Sequence, residues 1–126
     1  MWAVLKFKTN SFSILKEELY KKIGKDLKIY VPKIRIQKYK NNKLITKDLN
    51  LLGDYIFCYH KSLESKNIIN SLRFTRGLKY LLEGFVESQG EIEKFILKCK
   101  GSENNEGYLS RDFFDFDLNK KYRFSS

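Results

Sequence analysis

A long alternation of apolar and polar residues, interrupted by two asparagines, constrains this fold more than any other feature. The alternation runs from residue 27 to residue 39, and Asn41 and Asn42 separate it from a second stretch at residues 43–47. Period-two alternation is typical of a strand with one exposed face, and paired turn residues favour a tight connection. The sequence therefore predicts a β-hairpin. Because Pro32 has no amide donor, the first strand should be an edge or be kinked there.

The predicted hairpin is also the most basic part of a chain with a net charge of +10. A single acid, Asp26, accompanies eight basic residues within residues 25–47. Such a segment creates a positive field that attracts nucleic acid or an acidic protein surface. The alternative is a solvated hairpin face that lysines keep soluble. The basic residues are Lys25, Lys28, Lys33, Arg35, Lys38, Lys40, Lys43 and Lys47.

The flanking segments predict the rest of an α+β fold. Residues 2–7 and 51–59 include apolar runs without polar alternation, which predicts strands in the centre of a sheet. Apolar residues at three- and four-residue steps predict an amphipathic helix over residues 12–23, with Asn10 or Ser11 as its cap. Helices packed mainly on one face of the sheet follow from this order of elements. The remaining predicted elements are a short helix at residues 62–70 capped by Ser62, a strand at 78–82 and a helix at 91–100.

Composition excludes several classes of protein. A chain with 42% hydrophobic and 15% aromatic residues is too apolar to be disordered. No apolar run reaches 18 residues and no signal peptide precedes the first strand, so we expect a soluble, cytoplasmic monomer without a membrane partner. Cys58 and Cys99 lack metal-ligand spacing and His60 is the only histidine. We therefore expect buried thiols, no metal, no cofactor and no enzymatic activity.

Several short segments, in order, resemble the N-terminal domain of the NusG family of transcription elongation factors, and in particular its specialised RfaH-type members. The resemblance covers residues 1–100 and implies an antiparallel, ferredoxin-like four-stranded sheet flanked by helices, with a protruding basic β-hairpin. The segments that carry it are Trp2, Val31-Pro32, Leu52-Gly53-Asp54-Tyr55-Ile56-Phe57 and Thr75-Arg76-Gly77-Leu78.

The tail extends this resemblance. Residues 101–107 are polar and glycine-flanked, which is typical of a linker, and we predict a linker at residues 101–112. Residues 113–126 resume strand-like content but are too few for an independent β-domain, so they either pack on the body or begin a second domain. Residues 122–126 are similar to the start of the KOW β-barrel that follows in this family. The resemblance thus implies a truncated KOW domain at residues 113–126.

The resemblance implies a transcription elongation and antitermination factor. In this family the domain binds the clamp helices, a coiled coil of the RNA polymerase β′ subunit, and faces the opposite wall of the DNA cleft. Bridging both walls favours the closed, elongating polymerase by differential affinity. The polymerase-binding residues implied here are Tyr55 and Phe57, which period two places on one strand face, with Tyr80, Leu81 and Leu82 on a later strand. Core packing is the competing interpretation of each.

Two further contacts of RfaH-type members have partial counterparts. A histidine followed by threonines touches the gate loop of the β subunit, and of the corresponding residues here only Asn70 and Ser71 are polar. Basic and polar groups bind the single-stranded non-template DNA, whereas this chain has Ile14 and Glu18 at two of the matching positions. The nucleic-acid-binding residues that the resemblance does support are Lys8, Thr9, Lys21 and Arg76, with Arg73 nearby.

Two alternatives come from other classes of protein. A free-standing RNA-binding module would use the basic hairpin and the aromatic strand at residues 53–59, stacking bases on exposed rings. A nuclease would bind Mg²⁺ through Asp112, Asp115 and Asp117. The alternation of these three carboxylates is better explained by the solvent face of a half-buried strand.

Overall fold

The computed structural model describes residues 1–110 of the 126-residue chain. These residues belong to two compact units, one formed by Met1–Val31 with Leu52–Lys94 and the other by Pro32–Leu51 with residues 95–110. The predicted KOW segment and the three aspartates of the nuclease alternative lie outside the described residues. The proposed domain boundaries therefore stay a prediction.

The described elements form an α+β fold, as predicted. Six strands and three helices follow one another, together with one short 3₁₀ helix at Lys61–Glu64. The strands are β1 (Trp2–Phe7), β2 (Lys28–Tyr30), β3 (Lys33–Lys40), β4 (Lys43–Asn50), β5 (Tyr55–Tyr59) and β6 (Leu78–Leu81). The helices are α1 (Phe12–Ile23), α2 (Lys66–Leu72) and α3 (Gln89–Gly101).

Four of the strands form one antiparallel sheet in the order β2-β5-β1-β6. The two strands that lack polar alternation, β1 and β5, occupy its centre. Val4 pairs with Phe57 in their register, and both side chains are buried. The prediction that these two segments lie in the sheet centre is confirmed.

Pro32 divides the predicted first strand of the hairpin into two. The residues before Pro32 form β2, a strand of the four-stranded sheet, whereas those after it form β3 and pair with β4 over their whole length. Pro32 cannot donate a ladder hydrogen bond, but its carbonyl accepts one of 2.9 Å from the amide of Leu51. The interruption predicted at Pro32 is therefore confirmed, and β2 is an edge strand. The alternation continues through the proline, so it did not reveal that the two halves pair with different strands.

One face of the sheet forms the core beside α1. The side chains of Leu5, Ile56 and Cys58 are fully buried there, and burying a large aliphatic side chain contributes about 1.5–3 kcal/mol. The rings of Phe7 on β1 and Phe12 on α1 lie 5.3 Å apart, which joins the helix to this face. Burial also raises the pKa of the Cys58 thiol to about 12, so this cysteine is a packing residue. As predicted, both cysteines are buried.

The ends of the helices differ in detail from the predictions. Ser11 occupies the position before α1 but makes no side-chain capping hydrogen bond, and Asn10 has a left-handed backbone with φ of 64°. Gly24 ends the helix as predicted, with its amide donating to the carbonyl of Tyr20 at 3.0 Å. No helix among residues 1–110 is both long and apolar enough to cross a bilayer.

The predicted short helix at residues 62–70 is two separate elements. A 3₁₀ helix comes first and α2 follows it, so Ser62 is not the cap of α2. His60 caps the first element instead, because its Nδ1 accepts a 3.0 Å hydrogen bond from the amide of Ser62. This leaves Nε2 to donate to Asp26 at 2.9 Å, and that hydrogen bond lowers the pKa of the Asp26 carboxyl.

Candidate functional site

One face of the sheet carries a set of aromatic side chains that we call the aromatic face. Residues directly opposite in antiparallel strands share a face, and the register pairs Trp2 with Tyr59 and Lys6 with both Tyr55 and Tyr80. The predicted period-two relationship between Tyr55 and Phe57 fits this register. The aromatic face comprises Trp2, Tyr30, Tyr55, Phe57, Tyr59 and Tyr80, together with Lys6.

Tyr55, Tyr80 and Lys6 form a polar cluster within the aromatic face. The two tyrosine hydroxyl oxygens lie 2.5 Å apart, and their rings are 6.2 Å apart and inclined by 67°. The Lys6 ammonium lies 5.0 Å from the centre of the Tyr55 ring and 5.8 Å from that of Tyr80, within the range of cation-π attraction. The hydrogen bond to Tyr80, together with burial, raises the pKa of Tyr55 to about 12. Both side chains are half-buried and thus present part of each ring to solvent.

Phe57, in contrast, is a core residue with an exposed fraction of 0%. Its ring lies 6.5 Å from both Trp2 and Tyr30, edge-on to the tryptophan. A side chain without exposed surface cannot contact a partner directly, so Phe57 supports the rings around it. In the RNA-binding alternative, the exposed rings of this strand that could stack on bases therefore do not include Phe57. Tyr59, which sequence reasoning did not single out, is 41% exposed on this face and packs on Trp2 at 5.1 Å.

The other predicted polymerase-binding residues are distributed over three places. Leu81 is buried, because alternation along β6 directs it away from the aromatic face. Leu82 is half-buried just beyond the strand, and its amide donates to the carbonyl of Val4 at 2.9 Å. Asn70 and Ser71 are exposed near the end of α2. Of the predicted set, Tyr55 and Tyr80 are in direct contact across the sheet.

Most of the predicted nucleic-acid-binding residues lie beside one turn, formed by Thr75-Arg76-Gly77. The amide of Lys8 donates to the carbonyl of Gly77 at 2.9 Å, which places the loop after β1 against this turn. Lys8 and Arg76 are both exposed. In the same loop, the hydroxyl of Thr9 lies 3.4 Å from a carboxylate oxygen of Asp54.

The last turns of α1 approach the same Thr75-Arg76-Gly77 turn. Lys21 is exposed, but its ammonium lies 3.5 Å from Glu17 and 3.9 Å from Glu18, so its charge is partly compensated. Sequence reasoning missed its neighbour Lys22. The Lys22 ammonium donates to the hydroxyl of Thr75 at 3.1 Å and to the carbonyl of Ser71 at 3.3 Å.

Phe74 is the most conspicuous residue that sequence reasoning missed. Its side chain is 87% exposed, between the exposed residues Arg73 and Arg76. An aromatic side chain between two arginines in a predicted turn fits no core periodicity, and that mismatch was the available signal. Exposed rings beside cations are typical of sites that stack unpaired bases.

Gln89 holds the start of β1 and was also missed. Its Oε1 accepts from the amide of Trp2 at 2.8 Å, and its Nε2 donates to the Trp2 carbonyl at 2.5 Å and to the Phe85 carbonyl at 2.8 Å. The Gln89 side chain thus makes the hydrogen bonds to Trp2 that a neighbouring strand would otherwise make, at a point of β1 that β6 does not reach. The partners are 87 positions apart, so no local pattern marks this residue.

In the other unit, Arg35 of β3 is the centre of an ion-pair network. Its guanidinium donates to Asp48 at 3.0 Å, to Glu106 at 2.5 Å and to the hydroxyl of Tyr108 at 2.9 Å, and it stacks on the Tyr108 ring at 4.1 Å. The ion pair raises the pKa of Arg35 and lowers that of Asp48. The Arg35 guanidinium is therefore occupied by contacts within this unit, although Arg35 belongs to the basic segment at residues 25–47.

Residues 102–110, within the predicted linker, make ordered contacts in this unit. The Asn104 side-chain oxygen accepts from the amides of Glu106 at 2.9 Å and Tyr108 at 3.1 Å, which closes a tight turn. The amide of Leu109 then donates to the carbonyl of Lys33 at 2.8 Å. This segment is bonded to the base of the β3-β4 hairpin.

Neither a search for metal-binding clusters nor the comparisons with known proteins assign a function to any residue. Among residues 1–110, no three His, Cys, Asp or Glu side chains are grouped so that they could hold a metal ion. A scan against models of known protein families and a search of curated proteins both find no match to this chain.

Proposed function

We propose that this chain is a transcription elongation and antitermination factor of the NusG and RfaH type, which binds the clamp helices of the RNA polymerase β′ subunit. The observation that carries this proposal is the contact between Tyr55 and Tyr80. Tyr55 belongs to one of the segments that resemble the family, and Tyr80 lies on the strand that follows another. They meet as half-buried, hydrogen-bonded rings on the aromatic face. The two residues are 25 positions apart in the chain, so their contact is an observation that the sequence resemblance does not itself contain.

Paired, partly exposed tyrosines suit a surface that receives a helix. Aromatic residues dominate binding energy at protein interfaces, because they bury a large area at a small cost in side-chain entropy. A helix docked in a groove also needs polar groups that fix its position. The hydroxyls of the tyrosine pair and the Lys6 ammonium supply these groups, and the cation favours an acidic side chain on the incoming helix.

The strand order also supports the proposal. The sheet strands follow a β-α-β-β-α-β order along the chain, with the β3-β4 hairpin inserted at its middle, and the first and third of them are central. We infer a ferredoxin-like arrangement with an inserted basic hairpin. On this fold the Tyr55-Tyr80 pair with Lys6 would bind β′, and the exposed Asn70 and Ser71 would contact the gate loop of β.

The exposed groups beside the Thr75-Arg76-Gly77 turn would bind the non-template DNA strand. Lys8, Thr9, Lys21, Arg73 and Arg76 contribute phosphate contacts and hydrogen bonds to unpaired bases. The factor would make or break no bond. Its effect would be to stabilise the closed clamp by its higher affinity for that state.

Binding to an isolated clamp-helices fragment of the cognate polymerase tests the proposal. We would compare wild type with Tyr55→Ala and Tyr80→Ala at moderate salt, and use Tyr59→Ala as a matched control on the same face. Loss of a hot-spot aromatic costs at least about 2 kcal/mol, so the first two variants should bind roughly 30-fold more weakly or worse. Tyr59→Ala should change the affinity by less than about threefold, a typical effect of a peripheral contact.

The folded state of each variant is checked by circular dichroism. Tyr55→Phe, which keeps the ring and loses only the hydroxyl, serves as the variant that is sure to fold. Absence of binding by folded wild type would refute the proposal. Equal losses in all three alanine variants would show that Tyr55 and Tyr80 have no special role.

A further inference from the structure

The outer part of the β3-β4 hairpin carries four lysines on a single face. Directly opposite residues share a face, and the register pairs Lys40 with Lys43, Lys38 with Ile45 and Ile36 with Lys47. Alternation along each strand then places all four lysines on the side of Ile36 and Ile45. We call this side the lysine face. It comprises Lys38, Lys40, Lys43 and Lys47 with the two isoleucines.

Nothing in the described residues compensates this charge. The four lysines are exposed, and none lies within ion-pair distance of a carboxylate among residues 1–110. The only acid in the hairpin, Asp48, is on the opposite face, where it is bound to Arg35 and Tyr108. The cations of the lysine face are therefore available to a ligand, whereas Arg35 is not.

The turn of the hairpin places two of these lysines, Lys40 and Lys43, directly opposite each other. Asn41 and Asn42 have φ values of 54° and 62°, which fits the two-residue turn that matches the twist of a hairpin. This tight connection places Lys40 directly opposite Lys43, and like charges in that position destabilise a strand pair. A pairing that works against stability indicates a role in binding.

We propose that the lysine face binds the phosphate backbone of double-stranded DNA without sequence specificity. Two rows of cations on a narrow ribbon match a polymer that carries one charge for about every 1.7 Å of its axis. Single-strand binding sites place aromatic rings between their cations, but the apolar residues of the lysine face are isoleucines. Tyr39, which is 81% exposed, lies on the opposite side of the hairpin. The inference does not depend on polymerase binding.

Fluorescence anisotropy with the full chain and a DNA duplex of about 20 base pairs, roughly two helical turns, tests this inference. The variant replaces Lys38, Lys40, Lys43 and Lys47 with Gln. The control variant replaces four exposed lysines elsewhere with Gln and so loses the same charge: Lys16, Lys25, Lys66 and Lys94. Each affinity is measured between about 50 and 200 mM salt.

Each phosphate contact contributes about 0.9 to the slope of log affinity against log salt. The lysine-face variant should therefore lose about 3 to 4 in slope, and the control variant less than about 1. An equal loss in the control would overturn the inference, because overall charge would then explain binding. So would equally tight, lysine-face-dependent binding of single-stranded DNA of the same length. Equally effective competition by poly-glutamate of matched charge would identify an acidic protein as the ligand and would also overturn it.

Discussion

The hydroxyls of Tyr55 and Tyr80 meet at 2.5 Å although their strands, β5 and β6, flank β1 on opposite sides. The contact spans the central strand above Lys6, whose ammonium lies close to both rings. A hydrogen bond of this kind restricts both rings to one orientation. An incoming helix would therefore meet a surface that is ordered before binding, which lowers the entropic cost of association.

The tyrosine pair predicts a pH dependence. The pKa of Tyr55 is raised from 10.0 to about 12 in the fold, so folding favours its neutral phenol. The stability gained from the pair is then fully present below pH 10 and is lost as the pH rises through about 12. Tyr80→Phe should return the pKa of Tyr55 towards 10, measured by phenolate absorbance as a difference from the matching Tyr55→Phe variant. Tyr59→Phe should leave that titration unchanged, and an unaltered Tyr55 pKa in Tyr80→Phe would contradict the prediction.

Gln89→Ala should destabilise the protein. The substitution leaves the amide and the carbonyl of Trp2 without their side-chain partner, and unsatisfied, partly buried backbone groups cost about 1–3 kcal/mol. We expect roughly 2 kcal/mol less free energy of unfolding, measured by urea denaturation, since water replaces part of what is lost. Gln37→Ala on the exposed hairpin is the control and should change stability by less than about 0.5 kcal/mol. Equal stabilities of the two variants would refute the bracing role of Gln89.

Two glycines allow a matched test of close packing. Gly77 and Gly84 have φ values of 89° and 80°, so alanine is strained at both positions by about 1–2 kcal/mol. Only at Gly77 would a Cβ also meet neighbours, at 3.0 Å from the Leu15 amide nitrogen and 3.1 Å from the Ser11 carbonyl oxygen. Gly77→Ala should therefore cost roughly 3 kcal/mol in thermal or urea unfolding, clearly more than Gly84→Ala. Similar costs would mean that α1 moves away from the turn without penalty.

Phe74→Ala should weaken binding to single-stranded DNA. Stacking of one base on an aromatic side chain is worth about 1–3 kcal/mol, and a ring that is 87% exposed can be removed without disturbing the core. Phe74→Trp should retain the affinity, because it keeps an aromatic surface. Val86→Ala, at another exposed apolar side chain, is the control for anisotropy measurements. If Phe74→Ala binds as wild type does, Phe74 is not a stacking platform.

Periodicity in the sequence was sufficient to predict most of the elements and the sheet centre, but not the division of residues 62–70 between a 3₁₀ helix and α2. The runs that become β1 and β5 show no regular polar alternation, a pattern typical of central strands, and both strands are central. Residues 12–23 repeat at helical spacing, and α1 has those bounds. Pro32 indicated a kink, but the division of the alternating segment between two sheets depends on pairing partners that are distant in the chain.

The site was less predictable, because exposure depends on both neighbours of a strand. Period two placed Tyr55 and Phe57 on one face, yet Tyr55 is half-buried and Phe57 is fully buried. The difference lies in what surrounds each ring, namely Lys6 and Tyr80 for the first, and Trp2 and Tyr30 for the second. Such neighbours follow from register across three strands, which no local pattern encodes.

The hydrogen bonds between Trp2 and Gln89 also affect the order in which the chain can fold during synthesis. The first strand cannot complete its hydrogen bonding until residue 89 is present, because its partners β5, β6 and Gln89 all come later in the chain. During synthesis, which adds about 5–20 residues per second, β1 would leave the ribosome several seconds before the last of these partners. Its apolar run Ala3-Val4-Leu5 would stay unpaired until β5 has been synthesised, as a target for chaperones and for aggregation.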